Sequence, residues 1–318
     1  MIESARHVLI QTCIIRGTAR LQSNAADRRA VGLRYSRNVS NQVSNQVSNP
    51  VDTSPEPFMT TLIDVRSVQQ LASGALRMSL VDTSDAVALA QWFSAESRGF
   101  HDSQPTPEKL AVILPHLVNR RTTGVFDDSG ADAAAPVATI SSWPMNLTLP
   151  GETALAAWSI SSVTVSPTHR RRGIARAMLE AELRTANTLG FAVAILTVSE
   201  ATIYGRYGFG ASVMSADWTI DTARAKWSGP TASGRVQFTT ADDLLLDGYE
   251  LVKQAILDTP GEVEFSGILW ERLLVRQGDP DASRALRIVR YDDVDGDLTG
   301  FAVYRVKALQ HHAVATQA

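Results

Sequence analysis

The residues best suited by type and spacing to do chemistry lie together near the middle of the chain, in Ser161-Ser-Val-Thr-Val-Ser-Pro-Thr-His-Arg-Arg-Arg-Gly-Ile-Ala-Arg176. A β-branched run leads through Pro167 into Arg170, Arg171 and Arg172, and Gly173, Ile174, Ala175 and Arg176 then open a helical pattern. The first turn of a helix offers backbone N–H groups without intrahelical partners and the positive end of the helix dipole. Two or three guanidinium groups at the same point make a cradle for an anion such as a pyrophosphate. Gly173 and Ala175 fit that use, because a larger side chain would hold phosphates away from the backbone. The competing reading is a solvated basic turn that only caps a helix; Pro167 and the glycine directly after the arginines favour the cradle. His169 falls inside the turn and reads as a turn residue rather than a base, while His101 and His116 stand isolated.

Holding such a turn requires a strand before it and a helix after it. Ala154 to Val165 reads as the strand, and Arg172 to Leu189 as a long helix stopped by Gly190. Upstream, Ala75 to Val81 alternates like a strand, Ser84 to Ala95 and Pro107 to Leu117 read as helices, and Gly124 to Phe126 and Val137 to Trp143 as further strands. Downstream, Phe191 to Val198 is a continuous apolar run suited to a buried strand, followed by a short helix near Thr202 to Tyr207. This order predicts an α/β (α+β) fold with a central mixed sheet. Beyond Ala216, Thr239 to Ile256 and Gly267 to Val275 look helical, and Ala285 to Tyr291 with Gly300 to Val306 reads as a hairpin across Asp292 to Asp297.

Composition excludes several classes. The 318 residues are 44% hydrophobic and 20% charged, with a formal net charge of -3, and no clustered basic run offers a surface for nucleic acid. A single cysteine, Cys13, forms no intramolecular disulfide or Cys-rich metal site. No apolar run approaches the roughly 20 residues of a membrane span, which predicts a cytoplasmic protein with no membrane partner. Residues 1–58 differ from the rest, with seven Arg, no Lys, and a Val-Ser-Asn-Gln repeat before Pro50. Such a polar segment buries too little apolar surface to offset its ordering entropy and is expected to be a disordered N-terminal extension. A transit peptide and an upstream extension of a reading frame starting at Met59 both fit it.

Arg170, Gly173 and Ala175 fit the Arg/Gln-x-x-Gly-x-Gly/Ala signature of the GNAT superfamily, whose loop binds the pyrophosphate of acetyl-CoA. With Ser199-Glu-Ala-Thr-Ile-Tyr-Gly-Arg-Tyr-Gly-Phe-Gly210, the stretch from Val163 resembles one branch of it, the enhanced intracellular survival (Eis) acetyltransferases. The resemblance implies a GNAT domain over residues 59–216 and a partial second GNAT-like domain over residues 217–318. It implies acetyl-CoA as co-substrate and no metal. Val163, Thr164 and Val165 would hydrogen-bond the pantetheine arm through their backbone, Arg171 to Arg176 would cover the pyrophosphate, and Ser199 with Glu200 would line the cofactor. Trp92, Phe93, Arg98, Phe100 and Trp143 fall where the family borders its acceptor pocket, although helical core packing accounts equally for Trp92 and Phe93.

The implied chemistry is direct attack of a neutral amine on the thioester, with an oxyanion steadied by a backbone N–H where a strand splays after Val165. The resemblance assigns protonation of the leaving thiolate to Tyr204; a phenol with a pKa of about 10 is protonated at neutral pH and close to a thiol in acidity. The acceptor would be a primary amine of a polycationic, aminoglycoside-like small molecule or a protein lysine. The acid excess after residue 58 is compatible with such cations. Members of the branch are longer, form hexamers, and use a final carboxylate as general base. This chain is therefore expected to be truncated, its base to be water or a carboxylate such as Glu152 or Glu200, and its homo-oligomer to depend on surfaces beyond Ala318. The alternative is a homologue that binds CoA but is catalytically impaired.

Overall fold

The computed structural model describes residues 6–15, 56–198, 201–212, 218–221, 226, 228–229, 231, 233–265, 267–274 and 284–308. The chain runs β1 (Arg6–Ile15), α1 (Pro57–Thr60), α2 (Val65–Ala72), β2 (Arg77–Leu80), α3 (Ala86–Gly99), α4 (Pro107–Ile113), β3 (Arg121–Phe126), β4 (Ala138–Leu149), β5 (Thr153–Val165), α5 (Ile174–Thr188) and β6 (Ala194–Ile195). It continues through β7 (Trp218–Asp221), β8 (Arg235–Phe238), α6 (Ala241–Leu244), α7 (Asp247–Leu257), α8 (Gly267–Leu273), β9 (Leu286–Asp292) and β10 (Leu298–Ala308). No helix among the described residues is long and apolar enough to cross a membrane.

The first sheet has the order β2-β3-β4-β5-β6, antiparallel throughout except for the parallel β5–β6 pair. Side chains of a strand alternate between faces, so each helix layer receives every second residue. On one face α2 and α5 cover Met78, Val125, Ile140, Trp158, Ile160, Val163 and Val165, closing the main core around Ile174, Met178 and Leu179. The opposite face of β5 meets α3, where Leu89, Trp92 and Phe93 form a smaller core with Leu117 and α4. Local chemistry starts these helices: the Asp85 carboxylate accepts the Val87 and Ala88 N–H groups, and Thr106 caps α4 ahead of Pro107.

A buried polar node ties the layers together. The Glu182 carboxylate on α5 accepts from Ser142 Oγ (2.6 Å), Trp158 Nε1 (3.3 Å) and Arg121 Nε (3.4 Å). Arg121, only 1% exposed, donates in turn to the carbonyls of Phe58 and Thr61 and so anchors the segment around α1.

The second sheet has the order β7-β1-β10-β9-β8, with α7 and α8 packing Leu251, Val252 and Trp270 on Ile288, Phe301 and Val303. Backbone hydrogen bonds join it to the first: Thr148 N–H donates to the Glu262 carbonyl, Gly261 N–H to Thr148 and Glu264 N–H to Asn146, all at 2.8–2.9 Å.

Four expectations change. Residues 6–15, assigned to a disordered extension, form β1 between β7 and β10; the run Val8-Leu-Ile-Gln-Thr-Cys-Ile-Ile15 is β-branched enough to pair once a sheet offers an edge. The helix α2 was not anticipated, although Asp64 capping at Ser67 N–H and apolar Val65, Val68 and Leu71 give its signal. The run from Phe191 to Val198 pairs only at Ala194 and Ile195, because Phe191 packs against Trp158 (5.1 Å between rings) and Val198 is 47% exposed. The single helix expected over Thr239 to Ile256 is broken into α6 and α7, with Thr240 and Asp243 forming a capping box.

Candidate active site

The strand β5 stays paired with β4 to Val165, but its parallel pairing with β6 ends at Ser159–Ile195. The splay therefore begins at Ile160, not after Val165 as the sequence suggested. The β6-facing edge of β5 from Ile160 to Val165 runs for about 20 Å at the usual rise per strand residue. That is room for an extended, amide-bearing ligand to hydrogen-bond as an added strand. A bulge interrupts the same stretch: the register moves from Thr139↔Thr164 to Ser141↔Ser161, and Ser162 takes a φ of 57°. The Ser162 carbonyl is turned inward to accept from Thr139 Oγ1 at 2.8 Å, and Thr139 Oγ1 also meets Thr164 Oγ1 at 2.8 Å.

Beyond Val165 the chain forms a 3₁₀ turn (Pro167–His169), places Arg171 at a φ of 61°, and caps α5 with Gly173 at a φ of 77°. Two left-handed residues so close together turn successive N–H groups toward one side. Gly173 provides no capping side chain, so the first N–H groups of α5 stay open. A Cβ at Gly173 would sit 3.3 Å from Gln70 Nε2, besides adopting a strained φ. The turn thus fits a diphosphate. Its arginines divide: Arg172 donates to the Gly74 carbonyl (2.7 Å) and Arg176 pairs with Glu180 (2.7 Å), whereas Arg170 and Arg171 are exposed and have no partner among the described residues. Ile174 is buried in the main core and Ala175 is half-buried.

Asp127, which the sequence did not single out, orients this turn. Its carboxylate accepts from Ser129 Oγ (2.6 Å) and Ser129 N–H (3.0 Å), meets His169 Nε2 at 3.0 Å and lies 3.9 Å from Arg172 Nη1. The Ser129 hydroxyl, followed by His169, pulls its pKa down to about 2. His169 is indeed a turn residue, with Thr168 Oγ1 at 2.8 Å on its other nitrogen.

Tyr204 is half-buried at the start of a 3₁₀ turn (Gly205–Tyr207), its ring edge-on to Phe209 at 6.1 Å. It packs on the same core as Val163, Val165 and Tyr207. Ser199 and Glu200 lie outside the described residues. Glu152 sits at a φ of 55° on the exposed β4–β5 hairpin tip, about 35 Å of strand away from Val163, which removes it as a base for chemistry there. Trp92 and Phe93 are core residues, 1% and 9% exposed; Phe100 is 44% exposed at the end of α3, and Trp143 carries the Arg120 guanidinium 3.9 Å above its ring.

Residues 82–212 match the acetyltransferase (GNAT) domain. An uncharacterized N-acetyltransferase of Streptomyces avermitilis is 38% identical over 187 residues, covering 57% of this chain and 44% of its own. The N-acetyltransferase Eis of Mycobacterium tuberculosis is 31% identical over 168 residues, 51% of this chain and 40% of its own. The crystal structure of Eis1 from Mycobacterium abscessus shares the fold, with a TM-score of 0.51 at 23% identity over 69% of this chain and 51% of that one. The splayed sheet and the glycine turn agree with these matches on the class: residues 82–212 match a GNAT acetyltransferase domain. Within that class the chain is similar in sequence to Eis and in fold to Eis1. It spans about half the length of the curated relatives it matches.

Proposed function

We propose that this protein transfers the acetyl group of acetyl-CoA to a primary amine by direct attack in a ternary complex. The observation that carries the reading is the release of β5 from β6 beyond Ser159, next to the Arg171–Gly173 left-handed turn that opens α5. Acetyl-CoA supplies an acyl group activated as a thioester. The backbone of Val163, Thr164 and Val165 holds the pantetheine arm along the open edge. The N–H groups from Arg171 to Arg176, with the Arg170 and Arg171 guanidinium groups, hold the pyrophosphate; Arg172 is left to brace the turn against Gly74 and Asp127. Ser199 and Glu200 are assigned to the cofactor's lining by resemblance. Tyr204 donates the proton that the departing sulfur needs.

The domain assignment is the acetyltransferase over 59–216 and a partial second GNAT-like domain over 217–318, whose sheet takes in β1 from the N-terminal segment. The acceptor is a polycationic, aminoglycoside-like amine or a protein lysine, drawn by the acidic balance of the chain. Self-association into a homo-oligomer and a cytoplasmic location complete the proposal.

The test is release of free CoA thiol from acetyl-CoA by the full chain, with spermine, kanamycin and a lysine peptide as acceptors. Amine-dependent release is expected, falling at least about a hundredfold in Tyr204→Phe while CoA affinity, read by calorimetry, is unchanged. Calorimetric CoA binding without release under any of these acceptors would replace the transferase with an impaired, CoA-binding homologue.

A further inference from the structure

We propose that Glu96 receives the acceptor's ammonium group and takes its proton before attack, an inference that rests on the transferase reading above. Glu96 lies near the end of α3, on the face of β5 opposite α5. The β5 bulge swings Ser162 toward it, and Ser162 Oγ donates to Glu96 Oε1 at 3.1 Å. The other carboxylate oxygen, Oε2, has no hydrogen-bond partner among the described residues. The approach is fixed by close packing rather than by a flexible loop: a Cβ on Gly99 would stand 2.3 Å from Thr164 Cβ, so the end of α3 lies directly on β5. Glu96 therefore stands at the stretch of β5 that has lost β6, beside the residues that carry the pantetheine arm.

The electrostatics suit a proton acceptor. Burial comes first among the causes that raise the Glu96 pKa, opposed by the Ser162 hydrogen bond; Asp102 raises it further, while Arg120 and Lys109 lower it. A half-buried carboxylate with one open oxygen attracts a cationic amine and gains by becoming neutral. The exposed ring of Phe100, one turn of chain further on, adds an apolar wall for the carbon skeleton of the acceptor.

Protons and bonds balance as follows. One proton of the ammonium passes to Glu96 Oε2, leaving a neutral amine whose lone pair forms the C–N bond. The C–S bond breaks, the sulfur takes the Tyr204 phenol proton, and the phenolate regains one from the newly acylated nitrogen. Glu96 then returns its proton to water, so the products are the amide, the free thiol and one proton.

The experiment uses the full chain, wild type against Glu96→Gln and Ser162→Ala, with kanamycin and spermine. Three readouts are compared: kcat/KM across pH, kanamycin affinity by calorimetry without acetyl-CoA, and CoA affinity. Expected in Glu96→Gln are a loss of about a hundredfold or more in kcat/KM near neutrality, disappearance of the acidic limb, weaker kanamycin binding, and unchanged CoA affinity. In Ser162→Ala the Glu96 carboxylate loses a hydrogen bond that favours its charged form, so the acidic limb moves to higher pH. Unchanged kanamycin affinity and an unchanged pH profile in Glu96→Gln would overturn the proposal. So would a parallel loss of CoA affinity, which would mark Glu96 as a support of the fold. Failure of the transferase reading would show separately, as absence of amine-dependent thiol release in the wild type.

Discussion

Asp127 does for the glycine turn what no residue of the turn can do for itself. One carboxylate engages Ser129, His169 and the neighbourhood of Arg172, and so fixes the direction of the chain between β3 and α5. Replacing it with asparagine removes the charge that holds His169 and Arg172. CoA affinity in Asp127→Asn is expected to fall about tenfold, as for loss of one charge-assisted contact of ordinary strength, with melting behaviour near neutrality altered less than binding. The pH dependence has a definite sign. The folded-state pKa, about 2, lies below the ordinary value of 3.8, so the stability that Asp127 contributes is complete above 3.8 and is lost as pH falls through about 2. The melting difference between wild type and Asp127→Asn should accordingly shrink over that window in circular dichroism scans. In sequence Asp127 is one acid of Asp127-Asp128-Ser129-Gly130, a polar turn, and nothing local announces its long-range partner.

At the scale of elements, the Arg121–Glu182 node decides how α5 sits on the sheet. The two side chains are 1% exposed, and Glu182 serves donors from β3, β4 and β5 at once. Removing one member leaves a buried charge without compensation. Glu182→Leu is expected to lower unfolding free energy by about 3–5 kcal/mol in urea titrations, and Arg121→Met with Glu182→Leu to recover much of that loss. Because α5 carries Gly173 at its start, loosening the node should also weaken CoA binding without any change to the turn itself. The pattern of α5 was legible in sequence as an amphipathic helix, but Glu182 reads there as an ordinary surface acid; only the antiparallel placement of β3, β4 and β5 brings its partners together.

Across the whole molecule the two sheets are joined through the outer end of β4, where Asn146 and Thr148 exchange backbone hydrogen bonds with Gly261, Glu262 and Glu264. The open edge of β5 and the glycine turn, where the acetyl-CoA site is proposed, lie at the opposite end of β5 from this hairpin. Loss of β1 should therefore disturb the second sheet and spare the site. With residues 1–15 deleted, β10 has no neighbour on its β7 side, and hydrogen exchange at Val303 to Val306 amides is expected to quicken at least tenfold while that of α5 is unchanged. Deletion variants that keep both β10 protection and the wild-type elution volume would show that β1 contributes nothing to that sheet.

Local chemistry in the sequence was sufficient for much of this protein. Pro167, the arginines, Gly173 and the helical pattern after it specify a turn that opens a helix, because each acts on its own backbone or on the next turn. The same holds for the strands up to Val165 and for the hairpin of β9 and β10. Tertiary structure decided the rest. Where β5 parts from β6 depends on a partner strand; the bulge at Ser162 depends on register against β4; and the Asp127–His169 and Glu96–Ser162 pairs join residues 42 and 66 positions apart. Apolar periodicity reports which face of an element is buried, but it carries no information about which polar side chain from a distant element will meet it there, since that is set by packing of the complete core.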